Sequence, residues 1–161
     1  MVRLVLCCPA MKEGPDRSGK KVGFSAGAFD LCHAGHMLMF EEAREHCDYL
    51  LIGLHTDPSI DRPDTKNKPI MSVKERMLIL KAIKYIDEII TYDTEADLLK
   101  ILTENPYNID VRILGVEYKD KEYTGKGLPL PVYYNTRDHG FSTTELRERI
   151  YLAEKAKHEQ Q

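Results

Sequence analysis

Two hydrophobic rhythms alternate along this chain. Short apolar runs over Val22–Ala26, Tyr49–Leu54, Ile86–Thr91, Val111–Leu114 and Pro131–Asn135 predict strands. Between them apolar residues recur at helical spacing: Met37, Leu38, Phe40 and Ala43 within Gly35–His46, then Met77, Leu78, Leu80 and Ile83 within Val73–Lys84. A third amphipathic stretch, Ala96–Glu104, stops at Asn105-Pro106, and a final helix opens at Ser142. Ser72-Val-Lys-Glu75 and Ser142-Thr-Thr-Glu145 both carry the capping-box pattern, in which a hydroxyl and a carboxylate satisfy each other's free backbone N–H groups. Strands alternating with helices imply a Rossmann-like three-layer α/β/α fold around a five-stranded, mainly parallel sheet. In such sheets ligands bind at the carboxyl ends of the strands, where strand order reverses.

The polar stretches divide the rest. Pro58–Pro69 contains RPDTKNK, too hydrophilic to pack, and is expected to be a mobile loop. Glu117–Leu130 is charged, glycine-containing and without a period, and reads as a second loop. Residues 1–21 are expected to be an N-terminal extension, a short strand or disordered, ahead of a single domain over 22–161. Gly14, Gly19 and Lys20 have P-loop spacing, but Lys21 stands where a Ser or Thr is needed for magnesium, and a strand-like run follows instead of a helix.

Composition narrows the function. With 161 residues, 42% hydrophobic and 30% charged, the chain suits one globular domain. A net charge of -3 argues against broad nucleic-acid binding and leaves room for anionic ligands held by a few local cations. The opening apolar run is too short to span a membrane and lacks a cleavage signal. Cys7, Cys8, Cys32 and Cys47 show no CxxC spacing, so free thiols and a cytoplasmic setting are expected.

The chemistry concentrates in Gly27–His36, GAFDLCHAGH, where a strand passes through a glycine-containing loop into a helix. Such a junction offers backbone N–H groups and a positive dipole end to a phosphate. His33 and His36 are poor metal ligands, having no evident third partner, but they suit donors to the oxygens of a transferring phosphoryl group. Gly35 permits close approach to the backbone.

GAFDLCHAGH resembles the HxGH signature of the nucleotidyltransferase superfamily, and FSTTELRERI, from Phe141 to Ile150, resembles its ISTT-type motif. With a lysine-bearing loop and a Glu-Arg pair between them, the order is similar to that of the small bacterial cytidylyltransferases acting on glycerol 3-phosphate. The resemblance implies that Ala28, Phe29, His33, Ala34, Gly35 and His36 line a triphosphate, while Lys66 and Lys68 close over it. It also implies that Arg76, Asp138 and His139 contact the nucleotide, and that Arg137, Gly140, Phe141, Ser142, Thr143 and Thr144 hold its other side. Gly115 and Glu117 would lie near the base, Lys66 and Lys84 would meet the phosphorylated substrate, and His33, His36, Lys66 and Arg137 would be catalytic.

The expected reaction is CMP transfer from CTP, with Mg²⁺ carried by the nucleotide, to a small phosphorylated alcohol, releasing pyrophosphate. Its alternatives are ATP-dependent adenylyl transfer to a sugar phosphate, pantetheine phosphate or FMN, and a non-catalytic nucleotide sensor. A homodimer is implied, with neither nucleic acid nor membrane as partner. Three positions depart from the family pattern: Ala28 replaces a hydroxyl residue, Lys84 replaces Arg, and Gly115-Val116-Glu117 stands where GDD is usual.

Overall fold

The computed structural model describes residues 15–159. Five strands form one sheet: β1 (Val22–Gly27), β2 (Tyr49–His55), β3 (Glu88–Tyr92), β4 (Val111–Gly115) and β5 (Val132–Asn135). Their spatial order is β3-β2-β1-β4-β5, every adjacent pair is parallel, and the order reverses between β1 and β4. Helices α1 (Ala34–Arg44), α2 (Pro58–Asp61), α3 (Val73–Lys81), α4 (Glu95–Glu104) and α5 (Thr143–His158) complete the fold. The Rossmann-like three-layer arrangement predicted from the hydrophobic pattern is the one observed.

Strand β2 is buried throughout and sorts its side chains by the two-residue period of a strand. Leu50, Ile52 and Leu54 pack with Phe40 and Ala43 of α1 and Leu80 of α3. Tyr49 and Leu51 face the other way, against Leu98 and Leu102 of α4. Each fully buried Leu, Ile or Phe contributes roughly 1.5–3 kcal/mol, so two-sided burial of β2 anchors the sheet. Cys47 belongs to this packing, its thiol donating to the Ala43 carbonyl at 3.2 Å. Both described cysteines, Cys32 and Cys47, are free, whereas Cys7 and Cys8 lie outside the described residues.

Several boundaries differ from the pattern reading. The 58–69 stretch is not all loop: Pro58–Asp61 makes one helical turn, because the Asp57 carboxylate accepts from Ser59 N–H and Pro58 starts the turn with a suitable φ. The expected 73–84 helix stops at Lys81, and Ile83 turns back to pack on the α1–α3 core. The Ser72–Glu75 capping box is complete, while at Ser142 only one half forms, Glu145 N–H donating to the hydroxyl at 3.1 Å. Gly14 lies outside the described residues, and Ser18–Gly19 form a turn leading into β1, so no P-loop helix follows.

Candidate active site

The carboxyl ends of all five strands open into one cleft of about 960 Å³. Its floor is the loop from β1 to α1. Phe29 and Leu31 there adopt left-handed backbone, φ 49° and 48°, a strained choice for large side chains. Asp30 between them explains the shape. Its carboxylate accepts from Ile70 N–H and Met71 N–H, both at 2.9 Å, and pairs with Arg147 of α5 at 3.3 Å. Phe29 then packs edge-on to His36 and against Phe40, which seats the loop on the core.

His33 and His36 replace the usual Ser and Glu of a capping box. Gly35 N–H donates to His33 Nδ1 at 3.1 Å, and His33 N–H donates to His36 Nδ1 at 3.2 Å. Each Nδ1 is therefore an acceptor, which fixes the neutral tautomer with its proton on Nε2. Burial, then the neighbouring His33, Arg137 and His139, push the His36 pKa down to about 4. Burial, His139 and Arg137 lower that of His33 as well. Two neutral imidazoles with 4.1 Å between ring centres are thus left with their Nε2–H groups as donors.

The second motif meets the first. His33 Nε2 lies 3.2 Å from Thr143 Oγ1 at the start of α5, across 110 residues of sequence. His139 packs where Gly35 has no side chain: a Cβ there would come within 2.8 Å of its ring. The glycine thus makes room for an imidazole in this structure. Arg137, itself at φ 49°, pairs with Glu117.

Of the candidate residues, Ala28, Phe29, His33, Gly35, His36, Lys66, Gly115, Glu117, Arg137, Asp138, His139, Phe141, Ser142, Thr143 and Thr144 line the cleft. Ala34, Lys68, Lys84 and Gly140 do not; the Lys84 ammonium lies over Tyr85 instead. Arg76 corrects its expected role more sharply. Its buried guanidinium donates to the carbonyls of Met71 (3.1 Å), Ala28 (2.8 Å), His55 (2.8 Å) and Thr56 (2.6 Å), so it braces the β1 loop against the end of β2 and does not line the cleft.

The cleft also has a lobe on the α4 face that motif reading missed. His55, Arg62, Tyr92, Glu95, Arg112, Tyr123 and Thr124 line it. Arg112 occupies an inward position of β4, opposite Phe24, where the strand pattern calls for an apolar side chain; that mismatch was the available signal.

A parallel sheet, a strained loop and helix start carrying two Nε2–H donors, and a Ser/Thr-rich helix start facing them define a nucleotidyltransferase-type site. Residues 24–149 match the cytidylyltransferase-like family model, and the chain belongs to that family. It is 32% identical to the bifunctional protein HldE of Campylobacter jejuni (strain RM1221) over 134 residues, 83% of this chain and 28% of that protein. It is 37% identical to HldE of Hyphomonas neptunium over 108 residues, 67% of this chain and 22% of that protein. The chain thus spans less than a third of the length of these relatives.

Among solved structures it resembles a lipopolysaccharide core biosynthesis protein of Thermoplasma volcanium, with TM-score 0.52, 23% identity and coverage of 84% of this chain and 89% of that one. It also resembles a Vibrio parahaemolyticus protein assigned as a nicotinate-nucleotide adenylyltransferase, with TM-score 0.54, 15% identity and coverage of 83% and 88%. No helix among the described residues is long and apolar enough to cross a membrane.

Proposed function

We propose that this nucleotidyltransferase joins the NMP part of a nucleoside triphosphate to a small phosphorylated acceptor. A phosphate oxygen of the acceptor attacks the α-phosphorus, the bond to the β-phosphate oxygen breaks, and pyrophosphate leaves. The observation that carries this reading is the pair of tautomer-fixed imidazoles, whose donors need no reorganisation as charge builds on the α-phosphate oxygens. Lys66 on the cleft wall and Arg137, once released from Glu117, would add positive charge to the triphosphate. Mg²⁺ carried by the donor would neutralise charge on the triphosphate. Asp30 and Glu42, carboxylates of the cleft wall, are already engaged by Ile70, Met71 and Arg147, and by Tyr133 and Thr136.

CTP is the donor that the two motifs suggest; ATP is the second reading. The segment Gly115-Val116-Glu117 stands where the cytidylyltransferase pattern has two aspartates, with Glu117 turned to Arg137, which weakens the motif's case for CTP. Thermal shifts with CTP and with ATP, each with Mg²⁺, separate them, because a ligand of the folded state raises the midpoint by mass action. Pyrophosphate release with glycerol 3-phosphate and with a hexose 1-phosphate then tests transfer. Stabilisation by a nucleotide with no pyrophosphate from any acceptor would favour the sensor reading instead.

A further inference from the structure

Lys66 lines the cleft and Lys68, two residues further on, does not; the cause lies in the chain just before them. Arg62 closes α2, its backbone leaving helical geometry at φ -132° and ψ 58°. Its carbonyl accepts from Thr65 N–H at 3.1 Å and from Lys66 N–H at 2.9 Å. Residues 63–69 contain neither helix nor strand, so the turn that carries Lys66 hangs on the backbone of Arg62.

What fixes Arg62 is Glu95, the first residue of α4. The Arg62 Nη2 lies 2.6 Å from Glu95 Oε1, and the other carboxylate oxygen accepts from the Thr124 hydroxyl of the 119–131 loop. Thr124 is held in turn, its carbonyl accepting from Arg112 Nη1 on β4. Glu95 cannot follow a moving loop. Its own N–H donates to Asp61 Oδ2 at 2.6 Å, and Thr94 and Asp97 form a complete capping box around it. Two consecutive residues, Asp61 and Arg62, are thus tied to one point at the start of α4. An ion pair on open surface contributes little, because both long side chains must be ordered to make it. Here the carboxylate is ordered beforehand, and the two side chains are only 38% and 24% exposed.

We infer that Arg62 is a positioning residue: pinned to Glu95, it sets the turn that holds Lys66 in the cleft for the triphosphate. The inference rests on the nucleotidyltransferase reading above. A lysine ammonium is a point charge on a flexible four-carbon stem, so its hold on a phosphate depends on where the backbone delivers it. With the pair broken, the turn keeps its own hydrogen bonds but loses its tie to α4, and the freedom it gains must be lost again when the triphosphate binds. The Arg62 charge is already matched by Glu95. Arg62 acts through Lys66 and not on the nucleotide itself.

Calorimetric titration with CTP and with ATP, each with Mg²⁺, gives the Kd of the tighter triphosphate without any acceptor. Arg62→Met is expected to raise that Kd about tenfold, the scale of one charge-assisted hydrogen bond. The Tm of the ligand-free variant should move by less than about 3 °C, as for loss of a partly exposed pair. Lys66→Met should raise the Kd at least as much. In the Lys66→Met background, Arg62→Met should then add less than about twofold, because the side chain it positions is gone. Glu95→Ala removes the same pair from the other side; it should show the same rise and the same dependence on Lys66, and it serves if Arg62→Met does not fold. An unchanged Kd in the folded variant, or a tenfold loss that persists in the Lys66→Met background, overturns the inference while leaving nucleotide binding in place. Failure of the wild type to bind either triphosphate would instead overturn the nucleotidyltransferase reading itself.

Discussion

The two lobes of the cleft meet at one strand end yet are built by opposite means. His33 and His36 are themselves neutral donors, oriented by backbone N–H groups. Around Arg112 the groups are charged, and side chains from β2, β4, α4, Arg62 just after α2 and the 119–131 loop pair with one another. The first arrangement suits a reaction that must meet the same α-phosphate every time. The second depends on side chains, each held by partners from other segments.

The largest expected effect breaks the neutral half. His36→Ala should lower kcat by about 10³, the scale of losing a preorganised donor to a developing oxyanion, while circular dichroism at pH 7 stays native. Near-wild-type turnover would remove the mechanism. Next, Arg76→Met strips donors from four carbonyls and should cost on the order of 3 kcal/mol of stability, a fall of about 10 °C in Tm. Were Arg76 instead a nucleotide contact, the same variant would weaken triphosphate binding at constant Tm.

Stability against pH sharpens the contrast. His36 binds its proton only below about 4 in the folded chain, against an ordinary value of 6.5. Between these values the unfolded chain takes up a proton that the folded chain refuses. The stability tied to neutral His36 is therefore fully present above 6.5 and lost as pH falls toward about 4. Urea midpoints at pH 7 and pH 4.5 should drop more in the wild type than in His36→Ala, and equal drops would contradict the burial argument. The smallest effect concerns Glu117→Gln. Freeing Arg137 from a half-exposed ion pair should lower the triphosphate KM about two- to fivefold, the range of such pairs.

The legible parts of the molecule were those with short-range signatures. The runs that became β1, β2 and β4, and the Ser72–Glu75 box, depend on neighbours in sequence, and they appear within a residue or two of their expected bounds. The HxGH and STT motifs are likewise local, and the structure brings them together through His33 and Thr143. Arg76 misled because its position on a helix said nothing of four carbonyls gathered from three other segments. His55 and Glu95 were invisible for the same reason, each alone in its own segment, while Arg112 left only its mismatch with the apolar pattern of β4. Lys84 followed the family spacing, but the chain turns at Ile83 and carries it away from the cleft.

Asp30 has a consequence for synthesis. Its carboxylate joins the β1 loop, the segment before α3 and Arg147, contacts separated by up to 117 residues. Chains grow from the amino end, so a nascent polypeptide that has completed the sheet still lacks both Arg147 and the Thr143 hydroxyl. The anchoring of Asp30 is therefore completed only when α5 docks. A chain stopped before α5 would carry the two histidines, their tautomers already set by the Gly35 and His33 N–H groups, but would lack the Thr143 hydroxyl and Arg147 that complete this half of the cleft.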